Sequence, residues 1–177
     1  MHIPDGYLGP QTYAVLDAAI VPIWVVAAVK VKKTLKAKQV PLMALGAAFA
    51  FVIMMFNVPI PGGTTGHAVG GTLVAILVGP WAACLAVSLA LVVQAFLFGD
   101  GGITALGANC FNMAFVMPFV GFYTYRVLAG RIRSEKWQAV AAGIGGWVGL
   151  TSAALTTAIM FGIQPLLHTG PDGRALY

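Results

Sequence analysis

"QVPLMALGAAFAFVIMMFNVPIPGGTTGHAVGGTLVAILVGPWAACLAVSLALVVQAFLFG" occupies residues 39–99 and contains no Asp, Glu, Lys or Arg. A helix rises about 1.5 Å per residue and needs about 20 apolar residues to cross the hydrocarbon of a bilayer, so this stretch crosses more than once. Gly and Pro cluster at 59–63 and 79–80 and divide it into segments. Outward from it, residues 101–125 and 137–171 are equally free of those four residue types.

The chain is 59% hydrophobic and 8% charged, which excludes an ordinary soluble domain. These features predict an all-α integral membrane protein, one membrane domain over 1–177. Apolar runs and their breakers predict six transmembrane helices, at 11–31, 41–57, 67–79, 81–98, 103–128 and 137–163. The third, about 13 residues, is short for a bilayer and reads as a partial helix.

The formal net charge is +5, with ten Lys and Arg against five acids. Nine of the ten cations fall in two short stretches, Lys30, Lys32, Lys33, Lys36 and Lys38, then Arg126, Arg131, Arg133 and Lys136. That is the positive-inside pattern of a multi-pass protein of the cytoplasmic membrane, not a nucleic-acid stripe. With both clusters in the cytoplasm the N-terminus lies outside. "MHIPDGYLGP", "NVPIPGGTTGH", "FGDGGITALGAN" and "QPLLHTGPDGRALY" then share the outer face. Non-helical backbone near a membrane is tolerated where protein buries it or where it lines a polar cavity, so an outward-facing site is expected.

His2 and His67 are two of three histidines, and this topology brings both to that face. A free terminal amine, the backbone nitrogen of residue 2 and the residue 2 imidazole can chelate one metal through fused five- and six-membered rings. The amide coordinates when deprotonated, which Cu(II) and Ni(II) promote best, and tetragonal nitrogen sites suit those ions. His67 would supply the fourth nitrogen, and tetrahedral zinc would fit poorly. The bulk of His2 favours retention of Met1, and Pro4 with Asp5-Gly6 predicts a turn that folds segment 1–10 back toward the bundle. The alternative is a frayed terminus with His2 on the surface. His168 is expected to be solvated.

"MHIPDGYL", "VPIPGGTTGHAVGGTL" at 58–73 and "FGDGGITALGANCFNM" at 98–113 resemble the CbiM/NikM family along essentially the whole chain. These are substrate-capture components of energy-coupling-factor transporters for cobalt and nickel. The resemblance implies metal bound by Met1, His2 and His67, with nickel(II) or cobalt(II) as the transported substrate. It implies partners too: a membrane coupling (T) subunit and ATPase (A) subunits, consistent with the lack of a Walker motif. It also implies a seventh span after 168–177, beyond the last residue of this sequence.

Polar side chains at membrane depth are costly and point to function. Gln94 and Asn109 either hydrogen-bond a ligand imidazole and fix its tautomer or link helices; Asn112 and Asp17 belong to the same set. Asp100 is expected to cap the following helix, and Asp5 to serve the turn. Cys84 and Cys110 read as buried, inert thiols. Ala14 with Ala18 and Ala44 with Ala48 allow close helix approach, against the coupling subunit or, as alanine's abundance favours, inside the bundle. Two other classes compete with capture. An intramembrane metalloenzyme needs a general base beside the metal, but no His-Glu-x-x-His occurs and the one glutamate, Glu135, sits in a basic loop. A structural membrane protein explains the spans but not the convergence of the histidines.

Overall fold

The computed structural model describes residues 2–60, 64–130, 134–169 and 176. Helix α1 (Pro10–Thr34) opens on a proline, whose missing N–H is no loss in a first turn. It ends with Lys32 and Lys33 at the negative pole of its dipole. A 3₁₀ turn leads into α2 (Val40–Met54). Strands β1 (Val58–Ile60) and β2 (Thr64–Gly66) then pair antiparallel, Val58 facing Gly66. Helices α3 (Gly71–Val78) and α4 (Pro80–Val93) follow, and α4 widens into a π turn at Gln94–Phe98. A loop leads to α5 (Leu106–Asn109), a second π segment at Cys110–Val116 and α6 (Met117–Ala129), one continuous helical run. Helices α7 (Glu135–Gly162) and α8 (Gln164–Leu167) complete the described chain.

Among the described residues, five helical runs are long and apolar enough to cross a membrane: 10–34, 37–54, 80–98, 106–129 and 135–167. The expected third span is shorter than its sequence pattern. Val58–Ile60 pairs with Thr64–Gly66 and helix begins only at Gly71, so α3 keeps 8 residues, about 12 Å of rise and too little to cross. The runs 80–98 and 106–129 form the centre; 56% of the apolar window of each is buried, against 11% for 10–34 and for 37–54. The outer helices turn large apolar side chains such as Val15, Leu45 and Trp147 outward, as hydrocarbon permits. Ala14, Ala18, Ala44 and Ala48 are all exposed. Contrary to the expectation of packing inside the bundle, they lie on the outer surface of α1 and α2.

Where helices do touch backbone to backbone, glycine is the reason. A Cβ on Gly121 of α6 would collide with Thr72 Oγ1 and fall 2.8 Å from the Gly145 carbonyl oxygen of α7. Small residues are what bring helices together where no hydrophobic effect separates them from lipid.

The N-terminal segment is docked, not frayed. Ile3 is fully buried, and with Leu8 it packs on Ala105, Ala108 and Met160. Asn109 clamps Ile3 from both sides, its Oδ1 accepting the Ile3 N–H at 2.8 Å and its Nδ2 donating to the Ile3 carbonyl at 3.1 Å. The Gly102 N–H donates to the same carbonyl at 2.9 Å. The Asp5 carboxylate accepts the N–H groups of Ile103 and Thr104 at 3.2 and 2.9 Å and the Thr104 hydroxyl. Those bonds hold the Asp5 carboxyl below its usual range, the Thr104 hydroxyl most of all. Further along, the Gly9 N–H donates to Gln164 Oε1 at 2.9 Å.

The two loops meet so closely that a Cβ on Gly102 would lie 2.5 Å from the Asp5 backbone nitrogen. Gly102→Ala is therefore expected to lift the segment, a clash costing about 1–3 kcal/mol. Hydrogen exchange at the Ile3 amide should accelerate by about 5- to 150-fold with helix content unchanged; unchanged protection would refute this docking.

Candidate metal centre

Each histidine of the pair is set by a different device. His2 precedes Ile3, so the Asn109 clamp fixes its backbone. His67 follows the last residue of β2, and the hairpin delivers it. Their rings stack, centroids 4.7 Å apart and planes 20° from parallel. Both are withdrawn from solvent, with the His2 side chain 6% and His67 5% exposed.

The hydrogen bonds assign the tautomers. A carbonyl only accepts, so His67 Nδ1, 3.2 Å from the Ala68 carbonyl oxygen, donates its proton and Nε2 keeps a lone pair. A carboxylate likewise only accepts, so His2 Nδ1 donates to Asp100 Oδ1 at 3.2 Å. Both Nε2 atoms are buried without a partner, a state that costs about 1–3 kcal/mol for each atom. Burial, reinforced by the charge His67 would carry, pushes the His2 pKa down to about 3, and burial also lowers that of His67. Both rings are neutral at pH 7, the form in which imidazole binds metal.

Among the described residues no group of three His, Cys, Asp or Glu side chains is placed to hold a metal ion. An ion between these rings needs donors that are not side chains, and the chain offers the residue 2 amide and the terminal amine. Ring size then selects the imidazole nitrogen. The amide nitrogen, Cα, Cβ, Cγ, Nδ1 and the metal close a six-membered ring, whereas Nε2 would close one of seven through Cδ2. In such a chelate the imidazole nitrogen would be the one that Asp100 now holds. Met1, the remaining donor of the expected set, lies outside the described residues. A cavity of about 720 Å³ lies against both rings, walled by Tyr7, Trp147, Thr151 and Phe161 among others.

The remaining polar residues of the bundle separate by what they touch. Gln94 and Asn112 are buried; Asn112 Nδ2 donates to Thr157 Oγ1 at 2.9 Å, tying the second π segment to α7. Asp17 Oδ1 accepts the Gly107 N–H at 2.7 Å, a helix-to-helix tie. Asp100 does not cap the next helix, which starts only at Leu106; it meets His2 instead. His168, expected in solvent, is buried beside Thr12 with its ring over Gly9, where a Cβ would collide with His168 Nε2. Cys84 and Cys110 are free and buried, as expected. Gln164 is the residue that sequence reasoning misses. It is 1% exposed and holds Gly9, and its one signal is an amide inside an otherwise apolar run.

Residues 2–175 match a protein family described as the cobalt uptake substrate-specific transmembrane region, CbiM. The fused nickel transport protein NikMN of Rhodobacter capsulatus is 52% identical over 100% of this chain, which spans 51% of that protein. The cobalt transport protein CbiM of Ruminiclostridium cellulolyticum is 33% identical over 100% of the chain and 69% of its own length. A crystal structure of a truncated transition metal transporter superposes with a TM-score of 0.92 at 58% identity, covering 100% of this chain and 81% of the other. The chain thus spans about half the length of the fused nickel transport relative, and its clamped N-terminus, hairpin and stacked histidines sit in a fold shared with a solved transporter. It belongs to the CbiM family, the cobalt uptake substrate-specific transmembrane region.

Proposed function

We propose that this chain is the metal-capture component of a nickel or cobalt uptake system of the cytoplasmic membrane, and that it is not an enzyme. The observation that carries this reading is the stacked pair His2 and His67, each neutral, buried and left with an unpartnered nitrogen. In this reading the metal is bound by the Met1 amine, the His2 amide nitrogen and Nδ1, and His67 Nε2. Four nitrogens including a deprotonated amide suit a square-planar ion and lean toward nickel(II) over cobalt(II). The names of the relatives, which include both nickel and cobalt transport proteins, support that substrate class.

The chain's own residues do the capture. Asn109, Gly102 and Asp5 hold the N-terminal segment in place before metal arrives, so little ordering entropy remains to be lost on binding. The basic loops keep the N-terminus outside, where the 720 Å³ cavity gives the ion its approach. Energy for transport comes from separate ATPase (A) subunits through a membrane coupling (T) subunit. The exposed pairs Ala14 with Ala18 and Ala44 with Ala48 offer that subunit a small-residue surface.

One added residue before Met1 keeps both histidines but moves the free amine. Titration calorimetry with Ni(II) should show affinity falling by at least a hundredfold for the extended protein; equal affinity would place the metal elsewhere. The low pKa values of the rings set a second outcome. Protons compete little for the neutral imidazoles near pH 7, so binding there displaces protons from the amine, whose ordinary pKa is about 8, and from the amide. About two protons should be released per metal at pH 7, read from calorimetry in buffers of different ionisation enthalpy. Affinity should climb about hundredfold per pH unit there; a flat profile would exclude the amide.

A further inference from the structure

Four buried side-chain atoms lack a hydrogen-bond partner among the described residues: His2 Nε2, His67 Nε2, Gln94 Oε1 and Asn112 Oδ1. Metal binding through the proposed chelate accounts for His67 Nε2. It does not account for His2 Nε2, because the fused chelate takes Nδ1 of that ring. Left are the His2 ring nitrogen, able to carry a proton, and the amide oxygens of Asn112 and Gln94, able only to accept one.

His2 and Gln94 are linked through Asp100. Gln94 is fully buried at the start of the first π turn. Its Nε2 donates to the Phe51 carbonyl at 3.3 Å and lies 3.8 Å from Met55 Sδ, which turns the NH₂ group toward α2 and leaves Oε1 on the other side. The Gln94 side chain faces the His2 ring, and neither Gln94 Oε1 nor His2 Nε2 has a hydrogen-bond partner among the described residues. Its backbone is tied to the same place, since the Gln94 carbonyl accepts the Asp100 N–H at 3.1 Å and Asp100 in turn holds His2 Nδ1. Asn109, the other amide that sequence places near the ligand imidazoles, spends its side chain on Ile3.

We propose that Gln94 is the positioning residue of the metal centre: once a metal takes His2 Nδ1, the ring carries its proton on Nε2 and Gln94 Oε1 accepts that hydrogen bond, locking the imidazole in its chelating orientation. The inference rests on the chelate described under the proposed function. The proton balance closes within the ring: Nδ1 gives up one proton to solvent, Nε2 takes one from solvent, and the imidazole stays neutral. Asp100 loses its donor as Gln94 gains one, so the ring has a defined partner in both states. Partners of this kind behind a metal-binding histidine typically change affinity by about 10–100-fold when removed.

The experiment uses the full chain with native Met1, ¹⁵N-labelled at histidine and loaded with Ni(II), which is diamagnetic in a square-planar field. A slowly exchanging His2 Nε2–H resonance is expected in the native protein; its absence overturns the proposal without any variant. Gln94→Met should lose that resonance and bind Ni(II) about 10–100-fold more weakly, and Gln94→Glu, which keeps an acceptor oxygen, should restore both. A merely structural glutamine would change the thermal midpoint of the metal-free protein but leave the resonance of the loaded one in place. His2→Ala separates the two readings. If it binds like the native protein, the chelate itself is wrong. If it loses binding while Gln94→Met binds normally and keeps the resonance, only the role of Gln94 falls.

Discussion

The Asn109 carboxamide makes both of its hydrogen bonds to the backbone of one residue, Ile3, from 106 positions away in the chain. Everything at the candidate centre depends on that clamp. Without it His2 would be the second residue of a free terminus, and a tripod of amine, amide and imidazole would have no fixed place to meet His67. With it, in the proposed reading, a chelator that any peptide of this sequence could form in water becomes one arm of a preorganised site. Two buried neutral amide hydrogen bonds contribute roughly 1–3 kcal/mol together, a modest energy that works because the apolar contacts of Ile3 and Leu8 add to it.

The clamp in turn depends on irregular helix. Asn109 ends α5 immediately before a π segment, and Gln94 begins the other π turn, so both polar residues sit where the helical ladder widens. Such segments are rare and collect at functional sites because a widened turn re-aims side chains that a regular helix would point elsewhere. They lie in the two innermost helical runs, 80–98 and 106–129; the second is covered at Cys110, Asn112, Met113 and Ala114, whereas the first covers Gln94 and Ala95 and exposes Phe96, Leu97 and Phe98. The loop between them carries Gly101, Gly102 and Asp100, which together make the floor for the N-terminal segment.

Much of this was legible in the residues. Absence of charge over 39–99 required several crossings, and the two lysine and arginine clusters ordered the loops. His2 and His67 converge in the fold as topology required. What was hidden follows from one cause, that sequence pattern reports local periodicity and not long-range pairing. The paired strands Val58–Ile60 and Thr64–Gly66 lie inside an apolar run with no alternation to betray them, and they moved the start of α3 from His67 to Gly71. An Asp before a helix usually caps it, but Asp100 is turned by a bond to His2, 98 positions earlier. His168 and Gln164 are polar residues near the end of the described chain, and only the docking of the N-terminal segment over them makes them buried. The four exposed alanines show the converse error: composition favoured packing, and the fold left them on the surface.

In the proposed centre two histidines suffice because the chain's own terminus completes the coordination sphere. X-ray absorption at the nickel edge of the loaded protein measures that sphere directly. Four short nickel–nitrogen distances are expected, two of them showing the outer-shell scattering of imidazole, together with the edge feature of a square-planar ion. A six-coordinate, oxygen-rich spectrum, or one with a single imidazole, would contradict it.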